Sequence, residues 1–244
     1  MSTIYKFEAI GTTWQIDLSN QVTNLTHPVS IYDIDLFTNP VSTFTTLHAS
    51  EKRIICYFSA GSYEPYRPDS SSFLASDKGK ELAGWPGEIW LNTSSANVRA
   101  IMVERLKLAK QKGCDGVDPD NIDGYDNENG LGLTEDMAVE YLTFLAAEAH
   151  GLGMAIGLKN GGRIVRRVVG WLEWEVNEQC VQYGECASFQ PFIGAGKPVF
   201  GIEYPESAPV VSESTKKDVC GDKDAEGFST LLKNMDLDEW VEVC

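Results

Sequence analysis

The sequence is short of positive charge: across 244 residues, 20 Lys and Arg face 36 Asp and Glu, for a formal net charge of −16. That deficit leaves no basic footprint for nucleic acid, and a surface of this sign is repelled by phosphate backbones and anionic lipid alike. A cationic partner suits it better. The sequence also lacks any apolar run near the ~18–20 residues of a membrane span, and any low-complexity block that would mark a disordered tail. Met1 to Phe7 do not follow the charged-then-apolar pattern of a signal peptide, so the chain as written carries no export address. There is no CxxC, and His27, His48 and His150 lie far from every cysteine and from every expected strand end. Neither a metal site nor a cofactor is expected.

What is present is a chain 43% hydrophobic with 22 Gly and 10 Pro, enough for a sizeable core. Because α/β barrels of about 200–250 residues fold around one core, residues 1–244 are read as a single domain, acting as a monomer. Six cysteines permit several pairings. Cys180 with Cys186, around a short polar loop, and Cys220 with Cys244, around a final segment expected to be helix, strand and helix, are the favoured bridges. Cys56 and Cys114 remain as a third pair, or Cys56 is a buried free thiol in an apolar strand. Two glycosylation sequons, Asn24-Leu25-Thr26 and Asn92-Thr93-Ser94, agree with secretion or cell-wall association.

Short β-branched and aromatic runs alternate with helical periods from end to end, the pattern of a parallel sheet wrapped by helices. Eight strands are expected: Thr13–Leu18, Ser30–Leu36, Arg53–Ser59, Asp115–Asp118, Ala155–Lys159, Leu172–Asn177, Pro198–Tyr204 and Phe228–Lys233. A further apolar piece, Glu88–Leu91, is placed outside the barrel in the long connection after Ser59. Helices are expected over Val98–Lys112, ending at Gly113, and over Thr134–His150, with Thr134 as N-cap. The fold class is therefore α/β, a (β/α)8 TIM barrel whose strand C-termini form the active-site rim.

The strand ends carry polar groups throughout: Asp17, Asp33, Asp35, Ser59, Glu64, Asp118, Asp120, Asn121, Asp123, Lys159, Asn160, Asn177, Glu178, Glu203 and Tyr204. Loops are polar in any protein, but strands buried on both faces are apolar, so acids inside WQIDL, YDIDL and GVDPDN need another explanation. A ring of carboxylates around a pocket supplies one.

The order of Asp17 in WQIDL, YDIDL, CYFSAGS with Glu64 and Arg67, Trp85-Pro86-Gly87-Glu88, GCDGVDPDN with Asp123-Gly124-Tyr125, Gly157-Leu158-Lys159-Asn160 and Asn177-Glu178-Gln179-Cys180 resembles glycoside hydrolase family 114, the endo-α-1,4-polygalactosaminidases. The likeness runs from about Trp14 to Cys244. It implies a (β/α)8 catalytic domain cutting within chains of α-1,4-linked galactosamine, a polymer of fungal cell walls and biofilm matrices. It also implies two catalytic carboxylates, Asp120 from the fourth strand and Glu178 from the sixth.

A glycosidase needs one ionised and one protonated acid across the scissile bond; a gap of about 5–5.5 Å gives retention and about 6.5–9.5 Å inversion. Participation by the substrate's own 2-substituent is disfavoured, because in an α-galactosaminide it lies cis to the leaving group and a free amine has no carbonyl oxygen. By analogy with other retaining α-glycosidase barrels, Asp120 is expected as nucleophile and Glu178 as acid/base, with Asp118 the main competitor. Lys159 and Asn160 are expected to hold a carboxylate ionised and in place. Candidates for ammonium or hydroxyl groups of the sugar are Asp17, Asp33, Asp35, Glu64 and Glu203; Asp123 is a candidate for that role or for supporting a neighbour. Tyr57, Tyr125, Tyr204, Trp85 and Trp90 offer flat faces, although strand aromatics such as Tyr57 belong more often to the core. Rival readings are a hydrolase of another α-hexosaminide or α-galactoside on the same fold, and a non-catalytic carbohydrate-binding barrel.

Overall fold

The structure, a computed structural model, describes residues 10–244; Met1 to Phe7, where the export pattern is missing, lie outside them. Twelve strands occur in these residues: β1 Trp14–Asp17, β2 Ile31–Asp35, β3 Arg53–Ser59, β4 Ser62–Tyr63, β5 Lys78–Glu81, β6 Ile89–Leu91, β7 Gly116–Asp120, β8 Ala155–Lys159, β9 Trp174–Glu178, β10 Val199–Glu203, β11 Ser229–Leu232 and β12 Glu242–Val243. The α-helices are α1 Val41–Ala49, α2 Ala96–Lys112, α3 Glu135–Gly151, α4 Val165–Val168, α5 Cys180–Tyr183, α6 Gln190–Gly194 and α7 Glu213–Cys220.

Eight strands run parallel in the order β1-β2-β3-β7-β8-β9-β10-β11, with the short β12 antiparallel at the edge of β11. This is the curled sheet of a (β/α)8 barrel. Among the described residues β1 and β11 form no ladder; the Trp14 indole donates to the Ser229 carbonyl at 2.8 Å, and just past the two strands the Leu18 N–H donates to the Leu237 carbonyl at 2.9 Å.

Each strand alternates between two cores. Trp14, Ile16, Ile31, Ile55, Ala155, Trp174, Val176, Phe200, Ile202 and Leu231 fill the inside. Ile34, Cys56, Phe58, Val117, Ile156 and Leu158 face outward onto the apolar stripes of α2 and α3, through residues such as Leu106, Leu142 and Leu145. Inside, Trp174 lies across β7 and β8, where Gly116 and Gly157 leave room: a Cβ at either would collide with the indole. Long helices begin and end on the expected signals. The Ser95 hydroxyl caps α2, Gly113 closes it at φ 99°, and the Thr134 hydroxyl accepts the Met137 N–H at 3.3 Å.

Three sequence readings change. The fourth barrel strand does not stop at Asp118 but continues through Pro119 to Asp120, pairing Phe58 with Pro119 and Ser59 with Asp120. Cys56 is no free thiol: it bridges to Cys114, tying β3 to the residues before β7, alongside the Cys180–Cys186 and Cys220–Cys244 bridges. The segment between Cys220 and Cys244 holds β11 and β12 but no second helix, because Asp238 binds the Trp240 N–H and the Lys233 ammonium binds the Asp238 carbonyl in a turn. The Glu88–Leu91 piece appears as β6, the middle of an antiparallel three-stranded sheet with β4 and β5, outside the barrel.

Candidate active site

Consecutive strands β7, β8 and β9 end on Asp120, Lys159 and Glu178. The next residue in each case, Asn121 (φ 62°), Asn160 (φ 54°) and Gln179 (φ 62°), lies in the left-handed region. Asparagine tolerates that conformation through local hydrogen bonds, whereas Gln179 carries its full cost. The repeated turn swings the chain away from the rim and leaves three strand-end side chains facing one space.

Lys159 joins them. Its ammonium lies 3.4 Å from Asp120 Oδ1 and 3.1 Å from Glu178 Oε2, and the side chain is 2% exposed. Burial works against the charge, but Asp120, Glu178 and Asp118 outweigh it and hold the Lys159 pKa well above its ordinary value. Asp120 also accepts the Tyr57 hydroxyl at 2.9 Å and the Asn121 N–H at 2.8 Å. Glu178 accepts the Tyr204 hydroxyl at 2.5 Å and the Asn160 amide at 3.1 Å, while its own N–H donates to Asn160 Oδ1 at 2.9 Å. Burial pushes the Glu178 carboxyl up, yet Lys159, Tyr204 and Asn160 together bring it below its ordinary value. Tyr57 and Tyr204 are pushed well above the phenol range, by burial first and then by the carboxylates they serve, so they remain hydrogen-bond donors.

Asp123, half-buried on the loop after β7, faces Asp120; burial, then that charge, lifts it to about 7. Tyr125 follows on a short turn, its ring 5.9 Å from the Arg163 guanidinium. Ser59 is fully buried and binds Ser62 Oγ at 2.6 Å and the Asn121 amide at 2.9 Å, so it sets the turn beside Asp120 and does not reach a substrate. Gly61 belongs to the same packing, since a Cβ there would strike the Asn121 carbonyl.

Several expected sugar contacts are occupied inside the protein. Asp35 binds Arg67 at 2.6 Å through Oδ2 and the Phe37 and Thr38 N–H groups, each at 2.8 Å, through Oδ1. Glu64 takes the other side of Arg67, at 2.7 and 2.8 Å. Glu203 accepts the Val181 and Gln182 N–H groups at the start of α5. Asp17 faces Lys233 at the β1–β11 seam; burial lifts the acid to about 6 against that attraction and lowers the lysine to about 8. Asp33 and Asp118 are wholly buried. Trp90 is core, under Gly124, while Trp85 stands half exposed.

One acid was given no role from sequence. Glu88 precedes β6, and its carboxylate accepts Ser62 Oγ at 3.0 Å and the Tyr66 hydroxyl at 3.4 Å. Burial, then Glu64 and Asp120, raise it. Glu88 leads into the sheet inserted between β3 and α2, away from the barrel strand ends, so strand periodicity carries no signal for it.

The model of a family described as glycoside-hydrolase family GH114 matches residues 2–244. A crystal structure of Aspergillus fumigatus Ega3 in complex with galactosamine superposes with a TM-score of 0.96 at 49% identity, covering 100% of this chain and 99% of that one. The glycoside hydrolase domain of PelA from Pseudomonas aeruginosa follows at a TM-score of 0.73 and 13% identity, over 94% and 97% of the two chains. A GH36 α-galactosidase, AgaA from Geobacillus stearothermophilus, in complex with 1-deoxygalactonojirimycin, is similar at 0.57 and 10% identity, over 93% of this chain and 39% of that one. The last two likenesses concern the fold alone. Comparison with curated proteins gave no match.

Proposed function

We propose that this chain, which belongs to glycoside-hydrolase family GH114, is as a whole one catalytic domain that cuts within polymers of α-1,4-linked galactosamine. The similarity to Ega3, whose structure holds galactosamine, supports the substrate. So does the charge around Asp120. Glu178, Glu88 and Asp123 lie near it with Lys159 as the opposing cation, because Arg67 is taken up by Asp35 and Glu64. An ammonium-bearing sugar relieves like-charge crowding that a neutral one leaves in place. The three disulfides fit an enzyme working in an oxidising space, outside the cell or in its wall.

The observation that carries the mechanism is Lys159, bonded to Asp120 and Glu178 at once. Oxygens 3.4 and 3.1 Å from one nitrogen are at most about 6.5 Å apart, which favours the shorter, retaining separation. Asp120, oriented by Tyr57, Asn121 and Lys159, attacks the anomeric carbon and forms a glycosyl ester. Glu178 gives its proton to the departing oxygen. A sugar seated over Glu178 removes its remaining water and adds to the burial that already pushes it up, favouring the protonated form needed for this step. Once Asp120 is esterified its charge is gone, so Lys159 turns wholly to Glu178 and keeps it ionised as the base that activates water.

One observation favours the reverse assignment: Lys159, Tyr204 and Asn160 hold the Glu178 carboxyl below its ordinary value. A mechanism-based fluorosugar separates the two, by the residue found esterified on peptide mapping. For the pair itself, Asp120→Asn and Glu178→Gln should each lower depolymerisation by at least ~10²-fold with the fold intact by circular dichroism. Retained activity in either removes that residue from the chemistry. Glu178→Gln should keep more activity on substrates with an activated leaving group, which need no acid.

A further inference from the structure

Two acids inside the barrel take no part in the steps above. Asp33 on β2 and Asp118 on β7 are both 0% exposed, and among the described residues no donor reaches any of their four oxygens. Strand alternation puts Asp33 in phase with the inner-core Ile31, and Asp118 in phase with Asp120. What each carboxyl meets is the other, within hydrogen-bonding reach. Two carboxylates in contact, shut off from bulk solvent and without another donor, cannot both be ionised, whereas one proton between them turns repulsion into an O–H···O bond.

The neighbours decide where that proton sits. Lys159 approaches from β8, Asp120 from β7 itself, Glu178 from β9, and Tyr57 of β3 lies in register with Asp118. The buried Glu175 of β9 and Asp123 after β7 complete the set; the Asp118 charge acts on Glu175, and Asp123 and Lys159 act on one another. Asp118 stands on β7, the strand that pairs with the Lys159 strand β8, whereas β3 and β7 lie between β2 and β8, so the attraction of Lys159 falls first on Asp118 and Asp33 meets the resulting charge. The charge therefore belongs on Asp118 and the proton on Asp33.

We propose that Asp33 and Asp118 form a proton-sharing carboxyl pair beneath the reacting residues, and that Asp118 acts as a positioning residue whose charge draws on Lys159 and so sets how strongly Lys159 holds Asp120 and Glu178. This rests on the reading of Asp120 and Glu178 as the reacting pair. Without the Asp118 charge, Lys159 acts on the catalytic carboxylates unopposed and a like charge beside them disappears; both changes lower the pKa of whichever one supplies the proton. Burial raises both carboxyls above the ordinary aspartate range, the direction that keeps a proton between them.

Two measurements test it. In a pH profile of kcat/KM, Asp118→Asn should move the basic limb to lower pH by about half a unit or more, while Asp33→Asn, which keeps a donor to Asp118, should not move it down. Equal loss at every pH in both variants is the outcome of a purely structural role and overturns the proposal. The second uses the unaltered protein: with 13C-labelled aspartate carboxyls, one carbon should stay at its protonated position at about pH 8 and be absent from the Asp33→Asn spectrum. If every aspartate is ionised there, the shared proton does not exist, whatever the activity data. If instead Asp120→Asn or Glu178→Gln remains active, the catalytic reading fails while the carbon spectrum still reports on the pair.

Discussion

Lys159 is the residue on which the site turns. A lysine at a strand end can hardly be buried to 2% unless carboxylates surround it, and here they are Asp120 and Glu178, the pair proposed to flank the scissile bond. Its neighbour in effect is Tyr204, whose hydroxyl helps hold Glu178 below its ordinary pKa. Losing that donor raises the Glu178 pKa, so with Glu178 as acid the protonated form persists to higher pH. Tyr204→Phe should shift the basic limb of the kcat/KM profile upward, and an unchanged limb would detach Glu178 from it. At this scale the sequence marked polar residues at or just past the ends of apolar strands, among them Asp120, Lys159 and Glu178, and the family resemblance singled out Asp120 and Glu178 as the reacting pair. It could not separate these from Asp35, Glu64 and Glu203, because their partners, Arg67 and the α5 N–H groups, are brought to them only by the fold.

At the scale of elements, the site is a device repeated on β7, β8 and β9: a buried strand, a functional side chain at its last position, then a left-handed residue. Gln179 is the costly instance, and among the described residues its side chain hydrogen-bonds Gln182 alone, at 2.8 Å. Gln179→Gly should stabilise the protein by about 0.5–1 kcal/mol, read as a raised Tm, with kcat little altered. A lowered Tm would mean that the left-handed turn is not strained. Strand positions were read from sequence to within two residues at most ends, since β-branched periodicity marks them directly. The extension of β7 through Pro119 was not, because proline usually ends a strand and only the pairing with Phe58 shows that it does not here. Strands β4 and β5 leave little trace in the sequence either: each is short, and each exists by pairing with β6.

For the whole molecule, the −16 net charge divides into two parts. Much of it lies on exposed helix surfaces such as Asp136 and Glu140 of α3, while Asp120, Glu178, Glu88 and Asp123 collect around Lys159. Together they attract a cationic polymer over distances of about a Debye length, ~10 Å at 0.1 M salt. Raising salt from about 0.05 to 0.5 M should therefore lower kcat/KM several-fold for polygalactosamine and leave the fully acetylated polymer nearly unaffected. Equal salt sensitivity would remove charge from substrate recognition. The barrel was legible at this scale because alternating strands and helices leave few other solutions, whereas the Cys56–Cys114 bridge was not, since an apolar strand suits a free thiol equally well.

In the proposed reaction Asp120 and Glu178, held together by one lysine, hydrolyse an α-1,4-galactosaminide with retention. It is tested most directly by NMR of the first product released from polygalactosamine, before mutarotation. The α-anomer should appear first; the β-anomer first would mean a single inverting displacement and would rule out the retaining reaction.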